Sequence, residues 1–192
     1  INVFEKAIDV KPGMPNDVLE GYNRPLDKED YATGWKPWDI NYGGFWEGGI
    51  HWSEVLANNG IDFLIDASTN NSPFFMYLAF NAPHDPRQSP QSFLERYPIE
   101  KIPLPENWLP EYPYKDAIGN QKTLRDEALA PFPRTTFAIK THIKEYYAII
   151  THLDEQIGKI MIALEVMENL REQNYLIASS GIMVIIGMHG HF

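Results

Sequence analysis

The sequence predicts an α/β fold, and three segments carry that prediction. "PFFMYLAF" (73–80) is a short apolar run without charge, suited to a strand covered on both faces in a parallel sheet. From about residue 140, Tyr146, Ile149, Ile150, Leu153, Ile157, Ile160, Met161, Leu164 and Met167 follow the i, i+3, i+4, i+7 stripe of an amphipathic helix. "NYLIASS" (174–180) then reads as a second buried strand. Strand, long connection, helix, strand is the order of a largely parallel sheet with helices on both faces and a right-handed crossover.

Residues 1–50 precede this core and are rich in Gly, Pro, Asn and Trp. "KPGMPND" and "NYGGFWEGG" are turn chemistry, because Gly supplies positive φ and Pro fixes its own. Trp35, Trp38, Trp46 and Trp52 lie close together, so the irregular segment is expected to pack through aromatic anchors. "HWSEVLANNGIDFLIDAS" turns helical, with Trp52, Val55, Leu56, Ile61 or Phe63, and Leu64 near one face and Gly60 weakening its middle. After the strand at 73–80, prolines recur at 83, 86, 90, 98, 103, 105, 110 and 113, which leaves mostly extended chain. Only "SPQSFLERY" reads as a short helix there, with Ser89 as its cap and Pro90 at its first position. No internal repeat or low-complexity tract interrupts the pattern. The chain reads as part of one domain, residues 1–50 irregular and 51–192 a portion of an α/β core.

Composition narrows the chemistry. The chain of 192 residues carries a net charge of -10, from 16 basic against 26 acidic side chains. That balance argues against nucleic acid, whose affinity comes largely from Lys and Arg on phosphates; a small anionic substrate needs only one local cationic pocket. With no cysteine, a disulfide framework, a thiolate metal site and a cysteine nucleophile are excluded within this sequence. The run "GIMVIIGM" is too short to span a bilayer as a helix. A chain that opens on Ile1 in mid-pattern reads as a fragment or a processed product.

His84 is the residue on which chemistry converges. A histidine at a strand's carboxyl end sits where open α/β sheets place ligands. Imidazolium there can hydrogen-bond an ester oxygen, stabilise developing negative charge or protonate a leaving alcohol. The plainer alternative is a histidine that fastens its own loop through a backbone hydrogen bond. Asp85, its neighbour, reads as a turn former, and a carboxylate pair involving Glu47 or Asp85 needs a separation that sequence cannot establish. His51 is expected to pack beside Trp52, and His142 and His152 to face solvent or pair locally.

The segments "FFMYLAFNAPHDPRQSPQSFLERYP", "LPEYPYKD" and "EYYAIITHLDEQIGKIMIALE", with upstream "NRP", "TGWKPWD" and "GGFWEGGIHWSEV", closely resemble arylsulfatase-type sulfatases of the alkaline phosphatase superfamily, over most of residues 10–178. The resemblance implies an alkaline phosphatase-like sulfatase core, of which this chain holds the later half. It also implies hydrolysis of a sulfate ester on an aryl or polysaccharide substrate, and a periplasmic or secreted setting. His84 matches the histidine of the family's "APH-P" turn, which contacts the substrate's sulfate. His189 in "GMHG" resembles the "G-HG" that follows the family's metal motif, a weaker candidate for substrate binding.

The departures from the family are equally specific. The family holds one calcium or magnesium ion through hard oxygen ligands. Counting back from Gly187, the late ligand pair falls on Gly181 and Ile182, and no Asp or Glu follows Glu172. The formylglycine motif "C/S-x-P-x-R" does not occur, and the early aspartates, the "GKWH" segment and the late lysine would fall outside residues 1–192. No metal and no activity are therefore expected of this chain by itself, and an incomplete sheet is expected to self-associate through its exposed edge. Two other readings stay open: a phosphoric-ester or phosphonate hydrolase of the same superfamily, and a non-catalytic polysaccharide-binding homologue.

Overall fold

A computed structural model describes residues 25–34, 36–42, 44–69, 73–118, 130, 132–171, 174–180 and 183–189. Among these, α1 (Lys28–Thr33) is capped by Asp27, whose carboxylate accepts from the backbone N–H of Glu29 and of Asp30 at 2.9 Å each. A single turn of 3₁₀ helix (Ile40–Tyr42) leads to a small hairpin, β1 (Trp46–Glu47) and β2 (Ile50–His51). Its two-residue loop, Gly48-Gly49, has φ of 57° and 83°, the left-handed pair that a tight hairpin requires. The hairpin runs straight into α2 (Trp52–Ser68). The expected aromatic anchoring holds for Trp46 and Trp52, which are both buried; Trp35 lies outside the described residues.

β3 (Phe75–Ala79) follows α2, then α3 (Gln91–Leu94), a 3₁₀ turn (Ile99–Lys101), α4 (Lys115–Ile118) and the long α5 (Thr136–Arg171). β4 (Asn174–Ser180) and β5 (Met183–His189) close the described chain. β5 was not legible as a strand in its own right. The sheet order is β3-β5-β4, with both pairings antiparallel. The largely parallel sheet predicted from sequence is thus not what these strands form, because β5 turns back on β4 and inserts between β4 and β3. β3 and β4, joined through α5, nevertheless point the same way.

The core explains which residues each element chose. Met76 and Leu78 on one side of β3 pack with Ala57 and Leu64 of α2 and with Ile149, Leu153, Ile160 and Leu164 of α5. Gly60, buried in α2, faces β3, and a Cβ there would meet the Leu78 methyls at ordinary contact distance, 3.4–3.5 Å. On the opposite side of β3, Phe75 is 54% and Tyr77 49% exposed. The expectation of a strand buried on both faces is therefore corrected to an alternating one, and the described helices cover one side only.

The long helix also differs from its predicted stripe. Tyr146, Ile150 and Met161 are exposed, whereas Thr141, Glu145, His152 and Gln156 are buried. A helix contacting both the α2–β3 core and the smaller cluster of Phe93, Leu94 and Ala148 buries a wider arc than one apolar stripe. At α3 the predicted start moves by one residue: Pro90 is the cap, without a side-chain hydrogen bond, and Ser89 is buried before it. Among the described residues no helix is long and apolar enough to cross a membrane.

Candidate functional site

Beyond Ala79 the chain leaves the sheet and folds into a tight turn. The His84 N–H donates to the Asn81 carbonyl at 3.0 Å, and the Arg87 N–H to the His84 carbonyl at 3.1 Å. Prolines at 83 and 86, both after cis peptide bonds, remove two backbone donors from this stretch, so the turn relies on those bonds and on its side chains. Arg87 takes a positive φ of 53°. Its Nε lies 2.5 Å from Asp85 Oδ1, a charge contact rather than an aligned hydrogen bond. Asp85 is therefore a turn former that also pairs with Arg87.

His84 is exposed at the apex. Its Nδ1 lies 2.9 Å from the Asp85 carbonyl; since a carbonyl only accepts, Nδ1 carries the proton and Nε2 remains for a ligand. The ring thus fastens its own loop, the plainer of the two readings left open by the sequence. β3, which delivers it, is an edge rather than a central strand of the described sheet.

The turn is clamped from behind by residues whose role the sequence did not reveal. The Gln88 side chain, fully buried, accepts from the Phe45 N–H at 2.5 Å. His51 Nε2 donates to the Gln88 carbonyl at 2.9 Å, and its Nδ1 accepts from Ser53 N–H at 3.1 Å, capping α2. His51 is thus a buried linchpin that packs against Phe45, Trp46 and His152. His152, expected at the surface or in a local pair, is buried against His51 and Phe93. Burial pushes His51 down to about 3, helped by any charge on His152 and opposed by the Gln88 carbonyl. Burial likewise pushes His152 down to about 4, with Lys159 and Arg96 adding to the effect.

Beside the turn opens a cleft of about 530 Å³, lined by Arg87 from the turn, by residues of the proline-rich connection and by the start of α5. His84 is not among its walls. His142 is tied to Arg87, whose guanidinium donates to Nδ1 at 2.8 Å. The signal that could have found the cleft was the concentration of Trp, Tyr and Arg among prolines at 105–134, but its partners on α5 are set by tertiary packing.

The other predicted positions are less defined. His189 ends β5, its backbone opposite Asn174, and its side chain lies outside what is described. Gly181 and Ile182, where the family's late metal ligands would fall, lie outside the described residues, and neither has a side-chain oxygen. Among the described residues no group of three or more His, Asp or Glu side chains could hold a metal ion. These residues do not fit the family's metal centre.

The described residues form helices packed on a small sheet, with His84 exposed in the turn beyond the carboxyl end of β3. The family model described as Sulfatase matches residues 13–178, and the chain belongs to the sulfatase family. Membership brings with it the alkaline phosphatase-like α/β fold. Curated relatives include an arylsulfatase of Clostridium perfringens, 29% identical over 144 residues, which covers 75% of this chain and 28% of that protein. The iduronate 2-sulfatase of Homo sapiens is 28% identical over 143 residues, covering 70% of this chain and 24% of that protein. A sulfatase of Formosa agariphila is 26% identical over 141 residues, covering 70% and 25%. The chain spans about a quarter of the length of these relatives.

Proposed function

We propose that this chain forms part of the catalytic core of a sulfate-ester hydrolase and that His84 is its contribution to the chemistry. The observation that carries the reading is the outward Nε2 of His84, on a turn clamped through Gln88, in a chain of the sulfatase family. As the imidazolium, protonated on both nitrogens, His84 would donate from Nε2 to a sulfate oxygen or give that proton to the departing alcohol, a contribution of roughly 10²- to 10⁴-fold where a positioned acid acts. His189 is a second, weaker substrate contact. The nucleophile and the calcium or magnesium ion characteristic of the family would come from residues outside this chain. The common direction of β3 and β4 supports their belonging to a larger, largely parallel sheet with helices on both faces. Sulfate esters of aryl compounds or polysaccharides are the proposed substrates, and a periplasmic or secreted setting follows from the same resemblance.

The test is hydrolysis of 4-nitrophenyl sulfate and 4-nitrophenyl phosphate by the longest natural polypeptide that contains these residues, with His84→Ala and His84→Gln alongside. Faster sulfate than phosphate turnover, lowered at least a hundredfold in both variants, is the expected result. Unchanged turnover in both variants would remove His84 from the site, and a preference for phosphate would favour the phosphoric-ester reading.

A further inference from the structure

We propose that His51 is a positioning residue for His84: by holding the Gln88 carbonyl it fixes the exit of the His84 turn and, through it, the direction of the His84 ring. The catalytic consequence rests on His84 acting on a sulfate ester, as proposed above; the ring geometry does not.

The turn has few ways to hold its shape. Pro83 and Pro86 supply no backbone N–H, and Arg87 sits at a φ of 53°, a conformation that costs free energy unless its surroundings enforce it. The Arg87 N–H closes the turn on the His84 carbonyl at 3.1 Å. Its guanidinium meets Asp85 and the His142 ring, but these contacts hold the side chain rather than the main chain. Gln88, the next residue, is fully buried and held twice. Its side-chain oxygen accepts from the Phe45 N–H at 2.5 Å, and its carbonyl accepts from His51 Nε2 at 2.9 Å. His51 thus grips the main chain one residue past Arg87.

The His51 ring is itself immobilised. It is 1% exposed and packs on Phe45, Trp46 and His152, with ring centroids 4.5–5.7 Å away. Its Nδ1 accepts from the Ser53 N–H at 3.1 Å, which leaves the ring proton on Nε2. Burial keeps the ring neutral, so donor and acceptor are both retained. His84 carries the opposite tautomer, Nδ1 donating to the Asp85 carbonyl at 2.9 Å. That carbonyl belongs to the turn that Gln88 anchors. Releasing Gln88 would let the Asp85 peptide move, and the His84 ring would lose the bond that directs its Nε2.

His51 also caps α2, and two variants separate that role from the grip on Gln88. In His51→Asn the shorter side chain keeps an oxygen where Nδ1 caps the helix and does not reach the Gln88 carbonyl. In His51→Gln the longer amide reaches that carbonyl and gives up the cap. Both are made in the longest natural polypeptide that contains these residues, and two readouts are taken. Nitrogen-15 spectra of the histidine rings at about pH 9, where ordinary imidazoles are neutral, report the tautomer of His84, whose signal is assigned by its loss in His84→Gln. Turnover of 4-nitrophenyl sulfate reports the catalytic consequence.

Wild type and His51→Gln are expected to carry the His84 proton on Nδ1, and His51→Asn a mixture of the two tautomers. In His51→Asn kcat should fall roughly tenfold or more with KM within about threefold, the pattern of lost positioning. His51→Gln should rescue kcat to within about threefold of wild type. An unchanged Nδ1–H tautomer in His51→Asn would overturn the proposal, and so would equal loss in both variants, which would assign the effect to the helix cap. If wild type turns over no sulfate ester, the sulfatase reading fails by itself, and the tautomers still decide whether His51 positions the ring. Circular dichroism checks each fold. If His51→Asn does not fold, His51→Gln decides: the Nδ1–H tautomer retained without the cap supports the grip on Gln88, and mixed tautomers overturn it.

Discussion

His51 and His152 meet edge to face in the core, ring centroids 4.5 Å apart and planes at 78°. One caps α2 and holds the His84 turn through the Gln88 carbonyl, and the other rides α5. Both hydrogen-bonding nitrogens of His51 are committed, Nε2 as donor and Nδ1 as acceptor. A second proton on Nδ1 would face the Ser53 N–H, donor against donor, and the core would hold a charge without solvent.

Acid should therefore destabilise the fold through this pair. Both pKa values are depressed from 6.5, to about 3 for His51 and about 4 for His152. Between about pH 4 and 6.5 the unfolded chain takes up protons that the folded chain refuses, so stability rises with pH across that window. The slope approaches about 1.4 kcal/mol per pH unit for each histidine. Urea midpoints measured from pH 7.5 to 4.5 check this, and His152→Phe should flatten the dependence; an equally steep profile in that variant would refute the assignment.

Two glycines should respond oppositely to alanine. Gly44 has φ of 68°, and a Cβ there would fall onto the buried Gln88 carboxamide that accepts from Phe45 N–H. Gly44→Ala should lose about 2 kcal/mol or more, since it combines backbone strain with displacement of a buried hydrogen-bonding group. Gly60 is helical, and its new methyl would meet the Leu78 methyls at ordinary contact distance. Gly60→Ala should be neutral or stabilising by up to about 1 kcal/mol, from helix propensity. Thermal melts of the two variants decide it.

Self-association should run through β3. It is an edge strand of the described sheet with Phe75 and Tyr77 exposed on one face, and such edges invite pairing. Sedimentation velocity of the 192-residue chain should show concentration-dependent association that Phe75→Lys with Tyr77→Lys reduces. A monodisperse monomer across the concentration range would remove this surface from consideration.

Calcium and magnesium should find no saturable site in this chain. Gly181 and Ile182 offer no side-chain oxygen where the family places its late ligands, and no Asp or Glu follows Glu172. Calorimetric titration with either ion should give only dilution heat, and the chain by itself should not release sulfate from 4-nitrophenyl sulfate above background. Replacing Gly181 with Asp and Ile182 with Asn is not expected to create metal affinity on its own, because the early aspartates would still be missing.

Much of the local structure was legible because short-range rules governed it. α2, the strand at Phe75–Ala79 and the long helix follow from periodicity and turn chemistry, which act over a few residues. The family followed from an ordered series of short segments, and the location of His84 just beyond the strand from the order of the sequence. Tertiary structure decided what depends on partners distant in the chain. The insertion of β5 between β3 and β4 made the pairing antiparallel. The one-sided packing of α2 and α5 left Phe75 and Tyr77 exposed. Burial of His51 and His152 came from two helices and a hairpin converging, which no local pattern of residues encodes. The cleft likewise exists only where Arg87, the 105–112 connection and α5 come together. Periodicity specifies which face of an element is apolar; which surface covers that face, and which polar side chains are enclosed with it, is set by the packing of elements remote in sequence.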